Sequence, residues 1–105
     1  MAKELTQDIY QSAVVEATKP VLVDFWASWC GPWRALSPII EEIGVDLADQ
    51  LDVYKCNVDD EGDLAQQFGI LSIPTLILFK DGKAVTTMIG AKPKADIIGE
   101  ITPYL

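Results

Sequence analysis

The residues best suited to chemistry in this chain lie in one run of five, Trp29-Cys30-Gly31-Pro32-Trp33. Cys30 sits where an apolar stretch over residues 21–27 ends and an apolar pattern at helical spacing begins. The stretch is rich in valine and aromatic residues, which predicts a buried strand. A cysteine at a strand-to-helix junction meets the unpaired N–H groups and the positive end of the helix. Both favour thiolate over thiol, so Cys30 is a candidate nucleophile. Two charged residues fall in apolar surroundings. Asp24 lies inside the strand and is costly there unless paired or protonated. Lys55 lies inside a later strand-like segment. Burial would raise the pKa of Asp24 and a nearby lysine would lower it, and the sequence leaves that balance open. The second cysteine, Cys56, follows Lys55 directly, so their side chains take opposite faces of a strand. If Lys55 faces Asp24, Cys56 faces away, beyond bridging range of Cys30. Its expected part is that of a small buried hydrophobe.

The chain contains no histidine. That excludes Ser-His-Asp and Cys-His catalysis and most zinc sites. Any proton transfer near neutral pH falls to a perturbed Asp, Glu, Lys or Cys. A net charge of −8, with eight scattered basic residues, argues against a nucleic-acid or acidic-membrane partner. No run of 18 apolar residues occurs, and the N-terminus lacks an apolar signal segment. A cytoplasmic protein is expected, organised as one domain over residues 1–105.

The elements that must position these residues can be read in order. Residues 2–5 suit a short edge strand. Thr6 is a candidate N-cap, with Asp8 in the first turn, for a helix to about Ala17. Ile9, Ala13 and Val14 would form its apolar side. Lys19-Pro20 breaks it before the strand at 21–27. A second helix is expected from Gly31 to about Leu47, with Leu36, Ile39, Ile40, Ile43 and Leu47 as its stripe. Pro38 would kink it. Residues 52–58 read as a third strand. Asp59 and Asp60 would cap a short helix over 61–68, closed by Gly69. Asp81-Gly82 predicts a hairpin of 75–80 with 84–89. Pro93 can start a last helix carrying Ile97, Ile98 and Ile101, which Pro103 ends. Five strands and four helices in this order imply an α/β protein. Its mixed sheet would be covered by helices on both faces.

The segment from Val21 to Arg34 resembles the active-site segment of the thioredoxin family, whose pattern is Trp-Cys-Gly-Pro-Cys followed by a basic residue. The resemblance extends over essentially the whole chain. Asp24 matches the family's buried aspartate, Pro38 its helix proline and Lys55 the lysine near that aspartate. Ile73-Pro74-Thr75 matches the segment whose proline is cis and faces the active-site cysteine, and Gly90 matches a glycine lining the substrate groove. The resemblance implies a thioredoxin fold and thiol–disulfide exchange on protein disulfides. By the same resemblance Cys30 attacks, Asp24 and Lys55 assist, and Trp29, Gly31, Pro32, Ile73, Pro74 and Gly90 hold the substrate. The reductant would be a thioredoxin reductase, and no cofactor is implied. On the residues alone, an ordinary trans proline at a strand start is the other reading of Pro74, and the resemblance favours cis. Trp26 reads as packing and Trp29 as an exposed rim.

The departure is at position 33, where Trp33 replaces the family's resolving cysteine. Attack on a disulfide needs only Cys30. Release of the product needs a second thiol within disulfide geometry, which tryptophan lacks. Three origins fit Trp33. It is an engineered replacement that traps mixed disulfides, a feature of a monothiol family member, or the mark of a domain that keeps only the binding groove. An indole in the first turn is expected to be partly exposed, either capping Cys30 or contacting a partner. Mixed disulfides with impaired turnover follow from the first two origins, with external thiol resolving the intermediate. A non-catalytic binding module follows from the third. A cluster shared between two chains is a weaker reading, since two cysteines offer few ligands. A monomer is expected, with a Cys30–Cys30 disulfide dimer as its oxidation product.

Overall fold

The Asp81-Gly82 pair makes the tight turn that its composition predicts. In the computed structural model, which describes residues 2–105, both residues have positive φ, 54° and 78°. A two-residue hairpin turn of the twist-matched kind requires this. The turn joins β4 (Thr75–Lys80) to β5 (Lys83–Ile89). A Cβ on Gly82 would lie 3.1 Å from the Val15 carbonyl oxygen. Gly82→Ala should therefore cost about 1–2 kcal/mol from the left-handed backbone alone. A lower urea midpoint at unchanged slope would register it.

Three further strands complete the sheet: β1 (Lys3–Glu4), β2 (Val21–Trp26) and β3 (Asp52–Asn57). The strand order is β1-β3-β2-β4-β5. β3 runs parallel to β1 and β2, whereas β4 runs antiparallel to β2 and β5, so the sheet is mixed as expected. β2 lies at its centre and is buried almost throughout. Its alternation divides the core. Leu22 joins the cluster under α1 (Gly31–Asp46) and α3 (Lys94–Ile101), with Leu36, Ile40, Ile43, Ile97 and Ile101. Val21, Val23 and Phe25 join the opposite cluster, with Val14, Cys56 and Leu64 of α2 (Gly62–Gln67). With the N-terminal helical segment, four helical elements flank the sheet.

Several local expectations need correction. The N-terminal segment is a 3-10 turn, Gln7–Ile9, followed by a wide π turn, Gln11–Val15, and not a regular helix to Ala17. The Glu16 amide reaches back to the Gln11 carbonyl, a span of five residues. Unequal turns break the 3.6-residue count, so Val14 is buried while Ile9 is exposed. Thr6 stands at the N-cap position but its hydroxyl makes no capping bond. Asp59 and Asp60 do not cap α2; Glu61 stands there, and Gly69 follows with φ 63°. Ile39, Leu47 and Ile98 pack at the margin of the core and are only half-buried. α1 continues through Pro38 to Asp46, and Pro93 caps α3 from just outside it. Pro103 lies in a final 3-10 turn, Thr102–Tyr104.

Candidate active site

The parallel pairing of β2 with β3 sets Asp24 directly opposite Lys55, and both side chains take the face covered by α1. Asp24 is buried. Burial pushes its carboxyl up to about 6, against smaller opposing effects of a hydrogen bond from Trp33 and the positive charge of Lys55. Lys55 is the cation nearest to hand along the strands for pairing with Asp24. Among the described residues no such pair forms within 4 Å; the Lys55 ammonium sits 5.9 Å from the centre of the Trp26 ring.

Trp33 supplies what Lys55 does not. Its indole N–H donates to Asp24 Oδ2 at 2.8 Å. Its ring stacks on Trp26, with centroids 4.2 Å apart and planes 18° from parallel. The indole is half-buried, in line with the partial exposure expected of it, and its N–H is turned to Asp24 on the sheet. Asp24 Oδ1 and Trp26 Nε1 have no hydrogen-bond partner among the described residues. One carboxylate oxygen is thus tied to the first turn of α1 and the other is left over.

Cys30 stands one residue before α1, at its N-cap position, with extended backbone. Its side chain is more covered than its place at a turn suggests, at 5 % exposure. The thiol donates to the Ile73 carbonyl at 3.5 Å. That contact brings together two stretches 43 residues apart, the Cys30 turn and the loop before β4. The Ile73–Pro74 peptide bond is cis, and Pro74 is buried. The Thr75 hydroxyl donates to the Ser72 carbonyl and fixes the loop. Gly90, at φ 90°, donates its N–H to the Pro74 carbonyl at 2.9 Å. Gly31 and Pro32 are exposed beside Cys30. Trp29 is 68 % exposed, as a rim residue should be. Its indole N–H donates to Asp59 Oδ2 at 3.0 Å. So Cys30, Ile73, Pro74 and Gly90 form one connected surface, while Asp24, Lys55, Trp26 and Trp33 form a second cluster beneath it.

Cys56 belongs to neither. It is fully buried in the cluster on the far face of the sheet, and no disulfide joins it to Cys30. Burial, with the negative charges of Glu61, Glu4 and Asp24, pushes its thiol up to about 12. Reading the sequence missed the Trp26–Trp33 stack and the Asp59 acceptor. Three tryptophans within eight residues were a signal that indoles would need partners.

A thiol at a strand-to-helix turn, facing a cis-proline loop, defines a site for sulfur chemistry. A sequence model of the family described as Thioredoxin matches residues 1–103. "Thioredoxin 1" of Synechococcus elongatus is 44% identical over 105 residues, covering 100% of this chain and 98% of that protein. "Thioredoxin" of Alicyclobacillus acidocaldarius is 48% identical, covering 96% of this chain and 95% of the relative. "Thioredoxin M-type, chloroplastic" of Chlamydomonas reinhardtii is 44% identical, over 99% of this chain and 74% of that protein. The chain belongs to the thioredoxin family. Membership supports thiol–disulfide oxidoreductase chemistry in general. No helix among the described residues is long and apolar enough to cross a membrane.

Proposed function

We propose that this single-domain protein is a monothiol thioredoxin that forms mixed disulfides through Cys30. The Cys30 thiolate attacks one sulfur of a protein disulfide. The partner's S–S bond breaks, its other sulfur leaves with the electron pair, and a Cys30–partner disulfide forms. Trp29, Gly31, Pro32, Ile73, Pro74 and Gly90 line the surface that receives the partner. Asp24 acts from below by holding the first turn of α1 through the Trp33 indole, and Lys55 acts from beside the Trp26 ring on which that indole stacks. No resolving thiol is at hand, so dithiol turnover is severely impaired and an external thiol such as glutathione completes the cycle. Disulfide-bearing proteins are the partners. A thioredoxin reductase is the reductant for any dithiol form. The working compartment is the cytoplasm, where unbridged thiols stay reduced. The protein works as a monomer, with a Cys30-linked dimer on oxidation.

One observation carries the reading. The only cysteine at the groove touches the Ile73 carbonyl, and the residue at the resolving position is hydrogen-bonded to Asp24 instead. A residue with both a stacking partner and a buried acceptor is built into the fold, which favours a monothiol design over a bare vacancy at position 33. The test is incubation with a disulfide-bearing protein such as insulin. A covalent adduct should appear on a non-reducing gel, vanish with dithiothreitol and be absent in Cys30→Ser. A partner retained by Cys30→Ser under reducing conditions would instead establish a non-catalytic binding module, the alternative that the exposed Trp29 rim favours.

A further inference from the structure

Strand order dictates what lies on either side of Cys30. β2 and β3 end, and β4 begins, at one edge of the sheet, since β4 is antiparallel to β2. β5 ends there too, with Ile89 opposite Thr75. Across that edge the order is therefore the segment after β3, the Cys30 turn, the loop before β4, and the end of β5. The two flanks of Cys30 differ in chemistry. The β3 flank carries exposed Asp59, Asp60 and Asp63, and the Trp29–Asp59 bond fixes it beside the Cys30 turn. No Lys or Arg occurs anywhere from Asn57 to Phe79. The β4–β5 flank carries a cavity of about 200 Å³, lined among others by Phe68, Ile70, Leu71, Thr87 and Ile89. At its mouth Leu71 is 97 % exposed and Ile89 63 %. Large apolar side chains exposed together around a cavity mark a contact surface.

The geometry points to a sided docking surface for the disulfide partner, an assignment that rests on Cys30 being the nucleophile. The partner is an extended polypeptide segment. It places a large apolar side chain over the Leu71–Ile89 cavity and a lysine or arginine over Asp59, Asp60 and Asp63, with its cysteine between them. Charge complementarity selects the basic flank, because a run of carboxylates without a compensating cation repels acidic segments and steers basic ones. Adjacent strands are about 4.8 Å apart and extended chain advances about 3.3 Å per residue. The basic and apolar residues therefore fall within about three positions of the partner's cysteine, on opposite sides of it.

The probe is a set of short peptides with one cysteine, carried as its disulfide with thionitrobenzoate. Attack by Cys30 on the peptide sulfur forms the protein–peptide disulfide. It breaks the probe's S–S bond and releases the yellow thionitrobenzoate anion with the electron pair. Colour gives the rate and mass spectrometry confirms which sulfur was taken. The reference peptides place Phe on one side of the cysteine and Lys on the other, in both orders. The better order should react about tenfold faster than its Phe→Ser version, since burying one large apolar side chain is worth about that factor or more. Its Lys→Glu version should be slower at low salt, with the gap closing at high salt. Leu71→Ser should abolish the Phe preference and leave the charge preference, and the pair Asp60→Asn and Asp63→Asn should do the reverse. All three positions are exposed, so these variants should fold. Equal rates for all peptides, with adducts formed, would overturn the sided surface and leave Cys30 as the nucleophile. No adduct with any peptide would overturn the nucleophile itself, and the docking surface with it.

Discussion

Asparagine at position 24 should make the protein about 2 kcal/mol more stable at pH 8 and confer no gain at pH 4. Burial raises the Asp24 carboxyl from an ordinary 3.8 to about 6. Between those values the folded protein holds a proton that the unfolded chain has released. Stability therefore falls as pH rises through that window and is level above it. A shift of about two units is worth roughly 3 kcal/mol. Asparagine removes the buried charge and keeps an oxygen to accept the Trp33 indole N–H. Its amide nitrogen would stand where Asp24 Oδ1 has no partner, which takes back about 1 kcal/mol. Urea unfolding of both proteins at pH 4, 6 and 8 measures the difference. A stability gain independent of pH would mean that Asp24 is not held protonated above its ordinary range.

The architecture was legible because its signals are local. An apolar run reports a central strand at Val21–Trp26, and Asp81-Gly82 reports its own turn through the two positive φ angles it must adopt. Cys30 and the Ile73-Pro74-Thr75 segment were legible as a pair only through the family resemblance. Nothing in their spacing says that residues 43 apart in sequence touch. The direction of Trp33 was not legible. In the first turn of a helix an indole can face solvent, the thiol or the sheet. The choice went to a buried carboxylate without another donor and a ring on which to stack. Asp59 was misread for a related reason. A carboxylate before a helix suits a cap, but α2 starts at Gly62 with Glu61 at the N-cap, and Asp59, two residues earlier, accepts from the Trp29 indole instead. Leu71 gave no sign of its exposure, because an apolar residue just before a strand normally continues the core.

Trp33→Cys should give the protein turnover and weaken its fold in one step. Positions 30 and 33 are one helical turn apart, within the Cα separation of roughly 4.4–6.8 Å that a disulfide spans. The new thiolate can attack the Cys30–partner disulfide, release the reduced partner and leave a disulfide between positions 30 and 33 for a reductase to open. With thioredoxin reductase and NADPH, insulin reduction by the variant should be sustained, while the parent chain stalls after about one equivalent. The structural loss is separate. Removing the indole takes away a hydrogen bond to a buried carboxylate, worth about 1.5–3 kcal/mol, and a ring stack worth about 0.5–1.5 kcal/mol. The expected loss is therefore roughly 3 kcal/mol at neutral pH. Losing that donor also removes a contribution that lowers the Asp24 carboxyl, so the carboxyl should titrate higher still. Trp33→Phe separates the parts, keeping a ring on Trp26, losing the donor and gaining no turnover. A Phe variant as stable as the parent would show that the N–H adds nothing. Equal insulin rates for the parent and the cysteine variant would show that Cys30 is resolved without a thiol at position 33.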